Sequence, residues 1–313
     1  MRIVVLDDYQ RVAERYAEWD SLGTHDLRFE HEHLTGQTLL DALAGAEVVV
    51  AMRERTAFTA EVLSGLPDLR LLVTTGPSNA AIDVAAAHDR GVVVCGTESP
   101  RTATPELAWG LILAVLRQIP AEHSAVRDGG WQNSIGGDLA GRRLGILGLG
   151  RLGSRMARIG LAFGMDVVAW SQNLDPDRAA ALGATAVTRD ELFRTSDVVT
   201  VHYKLSERSR GIVGAAELGL MKRSAILVNT SRGPLVDTDA LLRALHEGRI
   251  RGAGIDVYDT EPLPADHPVR RAPRAVLTPH IGYVTDETYR IYYDQALEDI
   301  AAWLRGAPIR VIG

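Results

Sequence analysis

A glycine motif stands out near the middle of the chain, where the sequence Gly-Leu-Gly-Arg-Leu-Gly occupies residues 148–153. It follows an apolar run at 144–147 that is typical of a buried strand, and it precedes a helix-like stretch at 154–163. In this order, Gly148 permits a tight turn, Gly150 lets the backbone approach a pyrophosphate, and Gly153 lets helix and strand pack closely. The free N–H groups at the start of the helix would then face the anion. The pattern therefore predicts a dinucleotide site formed by Gly148, Gly150, Arg151, Leu152 and Gly153.

The next strand-like run, 166–170, ends without the acidic residue that normally holds the ribose hydroxyls of NAD. Ser171 stands there instead, and we expect it to contact the cofactor. A carboxylate would repel the 2′-phosphate of NADP, so its absence removes that discrimination. No arginine stands at 171–173 to attract the phosphate; Arg178 is the nearest candidate, with a solvated helix residue as its other interpretation, and Lys204 could line the adenosine pocket. The sequence therefore leaves the choice between NAD(H) and NADP(H) open.

Three polar clusters each follow a predicted buried strand. Arg232 lies in the segment 229–233, Glu261 in the segment 256–262, and His280 in the segment 278–282. Taken singly, these are a surface arginine, a turn before proline and a structural histidine. In an open parallel sheet, however, ligands bind beyond the carboxyl ends of the strands. We therefore expect the three side chains to converge, although they are distant in sequence.

In this order, the motifs resemble the D-isomer-specific 2-hydroxyacid dehydrogenase family. The resemblance covers nearly the whole chain, from Ile-Asp at 82–83 through Thr-Pro-Glu at 104–106 and the glycine motif to the three clusters. The intervals of 29 residues from Arg232 to Glu261 and 19 residues from Glu261 to His280 are typical of that family. The resemblance implies an oxidoreductase that transfers a hydride between NAD(P)(H) and a D-2-hydroxy acid or 2-keto acid.

The residue types suit that chemistry. The planar guanidinium of Arg232 could hold the carboxylate and the carbonyl of a keto acid through its fork of donors. His280 could donate a proton to the carbonyl oxygen during reduction and remove it during oxidation. Glu261 would hydrogen-bond His280, orient its ring and favour the imidazolium. The resemblance also assigns cofactor contacts to Thr104, Thr230 and Asp256.

The segment before Ile82 departs from the family, which usually has a glycine-rich loop there whose N–H groups bind the substrate carboxylate. Here Gly76 is followed by Pro77, which has no N–H, so at least one such donor is missing. The hydroxyl of Ser78 or the amide of Asn79 could substitute, and we expect Gly76, Ser78 and Arg53 to contact substrate. Arg53 and Arg55 follow another strand-like run; they are either solvated loop residues or readers of a second anionic or strongly polar group.

Short apolar runs alternate with amphipathic stretches throughout, which predicts parallel sheets covered by helices. With the resemblance, the fold class is α/β: a Rossmann NAD(P)-binding domain at 101–284 inserted in a discontinuous flavodoxin-like substrate domain, 1–100 and 285–313. The run 106–126 predicts one long helix, and the resemblance implies a homodimer through the 104–127 region. His31 and His33 are expected to be exposed on one face of a possible strand, and Cys95 to be a small core residue.

Composition excludes several classes of protein. Hydrophobic residues make up 46% and charged residues 24% of the 313 residues, which is ordinary for a globular chain. A net charge of −6 gives no general attraction to nucleic acid or to an anionic membrane. No stretch is long and apolar enough to span a bilayer, the N-terminus does not resemble a signal peptide, and the one cysteine forms no internal disulfide. We therefore expect a cytoplasmic protein without a metal site and with a small-molecule substrate.

Two other functions remain open on the same scaffold. A phosphite or related dehydrogenase would share the fold, although the glutamate at 261 argues against a formate dehydrogenase, which has glutamine beside the histidine. A non-catalytic NAD(H)-sensing corepressor would need a partner surface that the sequence does not display. Since the last predicted helix lies near the C-terminus, we also expect no regulatory extension and no feedback inhibition by serine.

Overall fold

The computed structural model describes residues 1–313, and the chain divides into two compact units. Unit 1 comprises residues 1–100 and 284–313, and unit 2 comprises residues 101–283. Each unit is built on one sheet whose strands are all parallel, with five strands in unit 1 and seven in unit 2. The predicted α/β fold with two parallel sheets is confirmed.

Unit 1 has the strand order β2-β1-β3-β4-β5, which is the flavodoxin-like order. All four residues of β3 and of β4 are buried, as expected for strands whose two faces are both covered by helices. The C-terminal helix returns to this unit and buries Tyr292 and Tyr293. The strands are β1 (Arg2–Val5), β2 (Asp26–Phe29), β3 (Val48–Ala51), β4 (Leu71–Thr74) and β5 (Val93–Gly96). The helices are α1 (Ala13–Tyr16), α2 (Gly36–Leu43), α3 (Ala60–Ser64), α4 (Val84–Asp89) and the C-terminal helix (Asp286–Leu304).

Unit 2 has the strand order β12-β11-β10-β9-β6-β7-β8. The strands β7 and β8 lie on one side of β6 and β9 to β12 lie on the other, so the strand order reverses between β6 and β9. Such a reversal opens a crevice at the carboxyl ends of the strands, where ligands bind in open α/β sheets. The strands are β6 (Arg143–Leu147), β7 (Asp166–Trp170), β8 (Thr185–Ala186), β9 (Val198–Val201), β10 (Ile226–Asn229), β11 (Gly252–Ile255) and β12 (Ala275–Leu277). The helices are α5 (Ala103–Leu116), α6 (Ile119–Arg127), α7 (Arg151–Ala162), α8 (Pro176–Ala181), α9 (Arg189–Thr195), α10 (Ala215–Leu220) and α11 (Thr238–His246).

The structure corrects two local predictions. The run 106–126 is not one helix, because the backbone of Gln118 adopts a left-handed conformation (φ 52°) and separates α5 from α6. His31 and His33 follow β2 rather than lying in a strand, and their partly buried rings face Asp8 and Asp7 at 3.5 Å. Cys95 is fully buried, as predicted for a core residue. None of the helices combines the length and the apolar character needed to cross a membrane.

Candidate active site

The glycine motif connects β6 to α7 at the point where the order of the strands reverses. Gly148 has a φ of +104°, and a Cβ atom there would lie 2.4 Å from the carbonyl oxygen of His202. A Cβ on Gly153 would lie 2.1 Å from the carbonyl oxygen of Gly148, so this glycine lets α7 pack against the strand. Both glycines are therefore required by the protein's own packing.

Gly150 differs from these two glycines. Its φ is −87°, and a Cβ atom there would meet nothing within 4 Å, so neither backbone strain nor packing requires a glycine. The twelve-residue helix α7 begins at Arg151 and Leu152, and no side chain caps its N-terminal N–H groups. The hydroxyl of Thr230, at the end of β10, is buried without a hydrogen-bond partner. An open approach, uncapped N–H donors and a buried unpaired hydroxyl all fit a bound dinucleotide.

The end of β7 is tied to the glycine motif. The backbone N–H of Leu149 donates to Oγ of Ser171 over 3.0 Å. The ring of Trp170 stacks on that of Tyr203, with centroids 5.8 Å apart and planes inclined by 18°. Arg178 and Lys204, the two basic residues considered from the sequence, are exposed. Ser171 therefore shapes the turn between β6 and α7 and still has a hydroxyl proton to donate.

Glu261 and His280 are in direct contact although 19 residues separate them. Oε2 of Glu261 lies 2.5 Å from Nδ1 of His280, while Oε1 accepts the backbone N–H of Tyr258 over 2.8 Å. The contact occupies Nδ1, so Nε2 is the ring nitrogen that remains for a substrate. The ring of Tyr283 packs edge-on against that of His280 at 5.5 Å. The predicted orientation of the histidine by the glutamate is thus present in the geometry.

His280 itself adopts a left-handed backbone conformation, with φ of +53°, which is uncommon for a residue other than glycine. Its N–H donates to the carbonyl oxygen of Asp256 over 2.7 Å. The fully buried carboxylate of Asp256 accepts hydrogen bonds from the hydroxyl of Thr278 and from the N–H groups of Ile281 and Gly282 at 2.6–3.0 Å. Burial raises the pKa of this carboxyl group, while the hydrogen bonds from Thr278 and the backbone oppose that change. Asp256 therefore holds the segment that carries His280.

Two more residues brace the same segment. Thr104 donates its hydroxyl to the carbonyl oxygen of Gly282 over 2.9 Å, and Tyr258 donates its own to the carbonyl oxygen of Thr278 over 2.9 Å. Burial raises the pKa of Tyr258 to about 12, so it stays a donor at neutral pH. Sequence reasoning did not find Tyr258, because nothing distinguishes it there from an ordinary aromatic residue.

Arg232 precedes the 3₁₀ helix Gly233–Leu235, on the loop after β10. Its guanidinium donates to the carbonyl oxygen of Ser231 over 2.7 Å, and its own carbonyl oxygen accepts from the side chain of Asn229 over 2.9 Å. A Cβ on Gly233 would lie 2.1 Å from the backbone of Tyr258, so the loops after β10 and β11 touch there. Arg232, Glu261 and His280 thus follow three adjacent strands, β10, β11 and β12, at one edge of the sheet.

The residues predicted to bind substrate from unit 1 lie after β3 and β4. Arg53 is half-buried and rests against Gly76, whereas Ser78 is exposed. The side-chain amide of Asn79 donates to the carbonyl oxygen of Arg53 and to the hydroxyl of Thr74, so it braces the loop. Arg55 is held by the carbonyl oxygen of Asp7 and the hydroxyl of Tyr289. No group of three or more His, Cys, Asp or Glu side chains is arranged to hold a metal ion.

Comparison with known proteins agrees with this geometry. Residues 109–282 match the family model described as "D-isomer specific 2-hydroxyacid dehydrogenase, NAD binding domain". A glyoxylate reductase of Aeropyrum pernix is 39% identical over 256 residues, which cover 79% of this chain and 76% of that protein. A D-3-phosphoglycerate dehydrogenase of Methanocaldococcus jannaschii is 34% identical over 277 residues, 87% of this chain but only 52% of that longer protein. The crystal structure of a phosphoglycerate oxidoreductase from Vibrio cholerae O395 superposes with a TM-score of 0.93 at 36% identity, covering 98% of this chain and 100% of that one.

These likenesses and the two parallel sheets define an NAD-dependent oxidoreductase with a dinucleotide-binding domain of the Rossmann type. The chain belongs to the D-isomer specific 2-hydroxyacid dehydrogenase family, as its motifs predicted. Its activity is accordingly that of a 2-hydroxyacid dehydrogenase, and the comparisons favour neither a phosphite dehydrogenase nor a corepressor.

Proposed function

We propose that this enzyme interconverts a small 2-keto acid and the corresponding D-2-hydroxy acid, with His280 as the acid–base group and Glu261 and Arg232 as its partners. The contact of 2.5 Å between Glu261 and His280, at the edge of the sheet that carries the glycine motif, is the observation that carries the proposal. NAD(H), when bound, accepts or supplies the hydride. The residues of the chain bind, orient and move the proton.

In the direction of reduction, Nε2 of protonated His280 gives its proton to the carbonyl oxygen of the substrate. Glu261 keeps Nδ1 engaged, which directs Nε2 outward and stabilises the imidazolium through its negative charge. Arg232 polarises the carbonyl and binds the carboxylate. In oxidation, neutral His280 removes the hydroxyl proton.

The cofactor contacts are assigned to the motif residues, with the phosphates at Gly150, Arg151 and Leu152, and the nicotinamide amide near Thr230, Asp256 and Thr104. The uncapped start of α7 and the unpaired hydroxyl of Thr230 support this assignment. At the adenosine end we propose that both NADH and NADPH are accepted, because Ser171 carries no charge and its hydroxyl can donate to a ribose oxygen or to a phosphate.

Residues 1–100 and 285–313 are assigned to the substrate domain, with Arg53, Gly76 and Ser78 contacting substrate. The names of the relatives point to short, polar keto acids, glyoxylate first among them. We further propose a cytoplasmic homodimer through the 104–127 region. The helix α6 buries none of its residues, and Ile119 and Val126 are more than half exposed, which supports an intermolecular contact there.

The test is a panel of glyoxylate, hydroxypyruvate, pyruvate, phenylpyruvate and oxaloacetate, each with NADH and with NADPH. The expected result is oxidation of the reduced cofactor with at least one member and formation of the D-hydroxy acid, determined by chiral chromatography. A protein that binds NADH but turns over none of these acids would contradict the proposal. Reduction of NAD by phosphite would show instead that the protein is a phosphite dehydrogenase. Light scattering of the purified protein tests the dimer.

A further inference from the structure

The loop after β4 in unit 1 offers few backbone donors to a substrate. The N–H of Gly76 donates to the hydroxyl of Thr97 over 2.7 Å and is therefore already used. Pro77 has no N–H. The first N–H in this loop that donates to no protein acceptor is that of Ser78. A carboxylate at this loop therefore receives no N–H from Gly76 or Pro77, which leaves room for a side-chain donor beside the N–H of Ser78.

The guanidinium of Arg53 lies on the loop where those donors are missing. A Cβ atom on Gly76, whose φ is +93°, would lie 1.6 Å from Nη1 of Arg53. The guanidinium donates to the carbonyl oxygen of Thr75 over 3.1 Å and reaches Glu54 at 3.5 Å. Because a guanidinium has five N–H groups, three remain for a ligand. Glu54 offsets part of its positive charge, but the donors are not exhausted.

The backbone of Arg53 is also held by hydrogen bonds. Its φ is +52°, its N–H donates to the hydroxyl of Thr75 over 2.9 Å, and its carbonyl oxygen accepts from the amide of Asn79 over 2.6 Å. Asn79 is almost fully buried, at 8% exposure, and its other amide proton goes to Thr74. The arginine is therefore positioned before any ligand arrives, which lowers the entropy cost of binding.

We propose that Arg53 binds the carboxylate of the substrate in place of the backbone donors that Gly76 and Pro77 do not provide. The guanidinium occupies the space that a Cβ at position 76 would take, and Asn79 is the positioning residue that holds the backbone of Arg53. The inference rests on the proposed keto-acid dehydrogenase function, which it deepens by naming the group in unit 1 that reads the carboxylate.

The test uses oxamate, a keto-acid analogue with a carboxylate, and oxamide, its neutral counterpart. Binding of each to the complex of the enzyme with NADH is followed by the fluorescence of NADH, and the KM of the best keto acid is measured in parallel. Arg53→Ala should weaken oxamate binding and raise that KM by about 10- to 100-fold, the range for a lost charge-assisted hydrogen bond. Oxamide binding and the Kd of NADH should not change. A purely structural role of Arg53 would not lower the preference for oxamate over oxamide.

Arg55→Ala is the matched control, because it removes the same charge from the same loop. The guanidinium of Arg55 lies 4.4 Å from the ring centroid of Tyr9 and donates to the carbonyl oxygen of Asp7 and to Tyr289. This variant should keep the preference for oxamate. Equal losses in the two variants would show a general effect of loop charge and would overturn the proposal.

Gly76→Ala tests the space that the guanidinium needs. In the wild-type background, the added methyl group should displace the guanidinium of Arg53 and weaken oxamate binding. In the Arg53→Ala background, the same substitution should weaken oxamate binding much less. The backbone strain at Gly76 is common to both backgrounds and cancels in this double-mutant cycle, and thermal unfolding verifies that each variant is folded. Two results would overturn the inference but leave the proposed function intact, provided that the wild type reduces keto acids. One is additive effects of the two substitutions on oxamate binding, and the other is a normal oxamate affinity and a normal KM in Arg53→Ala. If the wild type neither reduces a keto acid nor binds oxamate, the proposed function fails with it.

Discussion

Replacing Glu261 by glutamine keeps the size of the side chain and a hydrogen-bonding group, but removes the negative charge beside His280. Nδ1 and Oε2 lie 2.5 Å apart, and the two side chains are 21% and 31% exposed. Two unit charges about 4 Å apart interact by roughly 1 kcal/mol in water and by roughly 4 kcal/mol at an effective dielectric constant of about 20. Because both side chains reach solvent, we expect the substitution to remove an interaction near the lower limit, about 1 kcal/mol.

The sign of the effect follows from the protonation state that each direction needs. In the proposed mechanism, reduction requires the imidazolium of His280, which the negative charge of Glu261 would stabilise. In Glu261→Gln, the alkaline limb of the kcat profile for reduction should therefore move to lower pH. Oxidation requires neutral His280, so its acidic limb should move in the same direction. Both profiles are measured with saturating cofactor, where a primary isotope effect with deuterated NADH shows that hydride transfer limits the rate.

Glu247→Gln is the control, since Glu247 is exposed at the end of α11 and its replacement makes the same change of charge. It should move neither limb. If Glu261→Gln lowers both rates but leaves both limbs in place, Glu261 only orients the ring, and the electrostatic coupling is refuted.

Three further predictions test other parts of the molecule. Arg232→Lys keeps the charge but loses the planar fork of donors, so kcat/KM should fall at least tenfold, which corresponds to about 1.4 kcal/mol. The Kd for NADH, measured by fluorescence titration, should not change. A smaller fall in kcat/KM would exclude the assigned role. Ser171→Asp adds a negative charge at the position that accepts the N–H of Leu149, so steady-state kinetics should show lower use of NADPH and retained use of NADH. A wild type that already excludes NADPH as strongly as the variant would show that the cofactor selectivity lies elsewhere. The carboxyl group of Asp299 is fully buried, and burial raises its pKa to about 6, so the unfolded chain releases this proton at lower pH than the folded chain does. The free energy of unfolding should therefore fall by about 3 kcal/mol in total as the pH rises from about 2 to about 8, with roughly 2 kcal/mol of that fall between about pH 4 and pH 6. Asp299→Asn should remove this fall in urea denaturation, and an unchanged dependence of the unfolding free energy on pH would refute the assignment.

The parts of the fold that the sequence predicted are those whose signal is local. The apolar runs of β3 and β4 are continuous because both faces of the strands are covered, and the glycine motif marks its own place between strand and helix. The predicted single helix at 106–126 was wrong although a local signal existed, since Pro120 lies at the start of α6 and proline disfavours a helix interior.

The strand β11 was expected before the cluster 256–262, but the reason for its glycines is not visible in the sequence. Its sequence, Gly-Ala-Gly-Ile, is poor in residues that favour strands. A Cβ on Gly254 would lie 2.9 Å from the side chain of Leu111 in α5, and one on Gly252 would lie 2.6 Å from the carbonyl oxygen of Arg274. The glycines are there because a helix and a neighbouring segment approach the strand closely. That reason exists only in the folded chain, so no pattern along the sequence displays it.

The same distinction separates the two halves of the candidate site. His280 and Glu261 could be proposed from the sequence because acid–base chemistry depends on residue type, and the structure shows the expected contact between them. How His280 is held depends on groups that have no chemical signature: the carbonyl oxygen of Asp256, which accepts its N–H, and the hydroxyl of Tyr258, which fixes Thr278 two residues before it. These contacts hold the left-handed backbone at His280, which its residue type does not favour. The sequence thus indicates which side chains are candidates for the chemistry, whereas the hydrogen bonds within the loops after β11 and β12, which form only in the folded chain, hold those side chains in place.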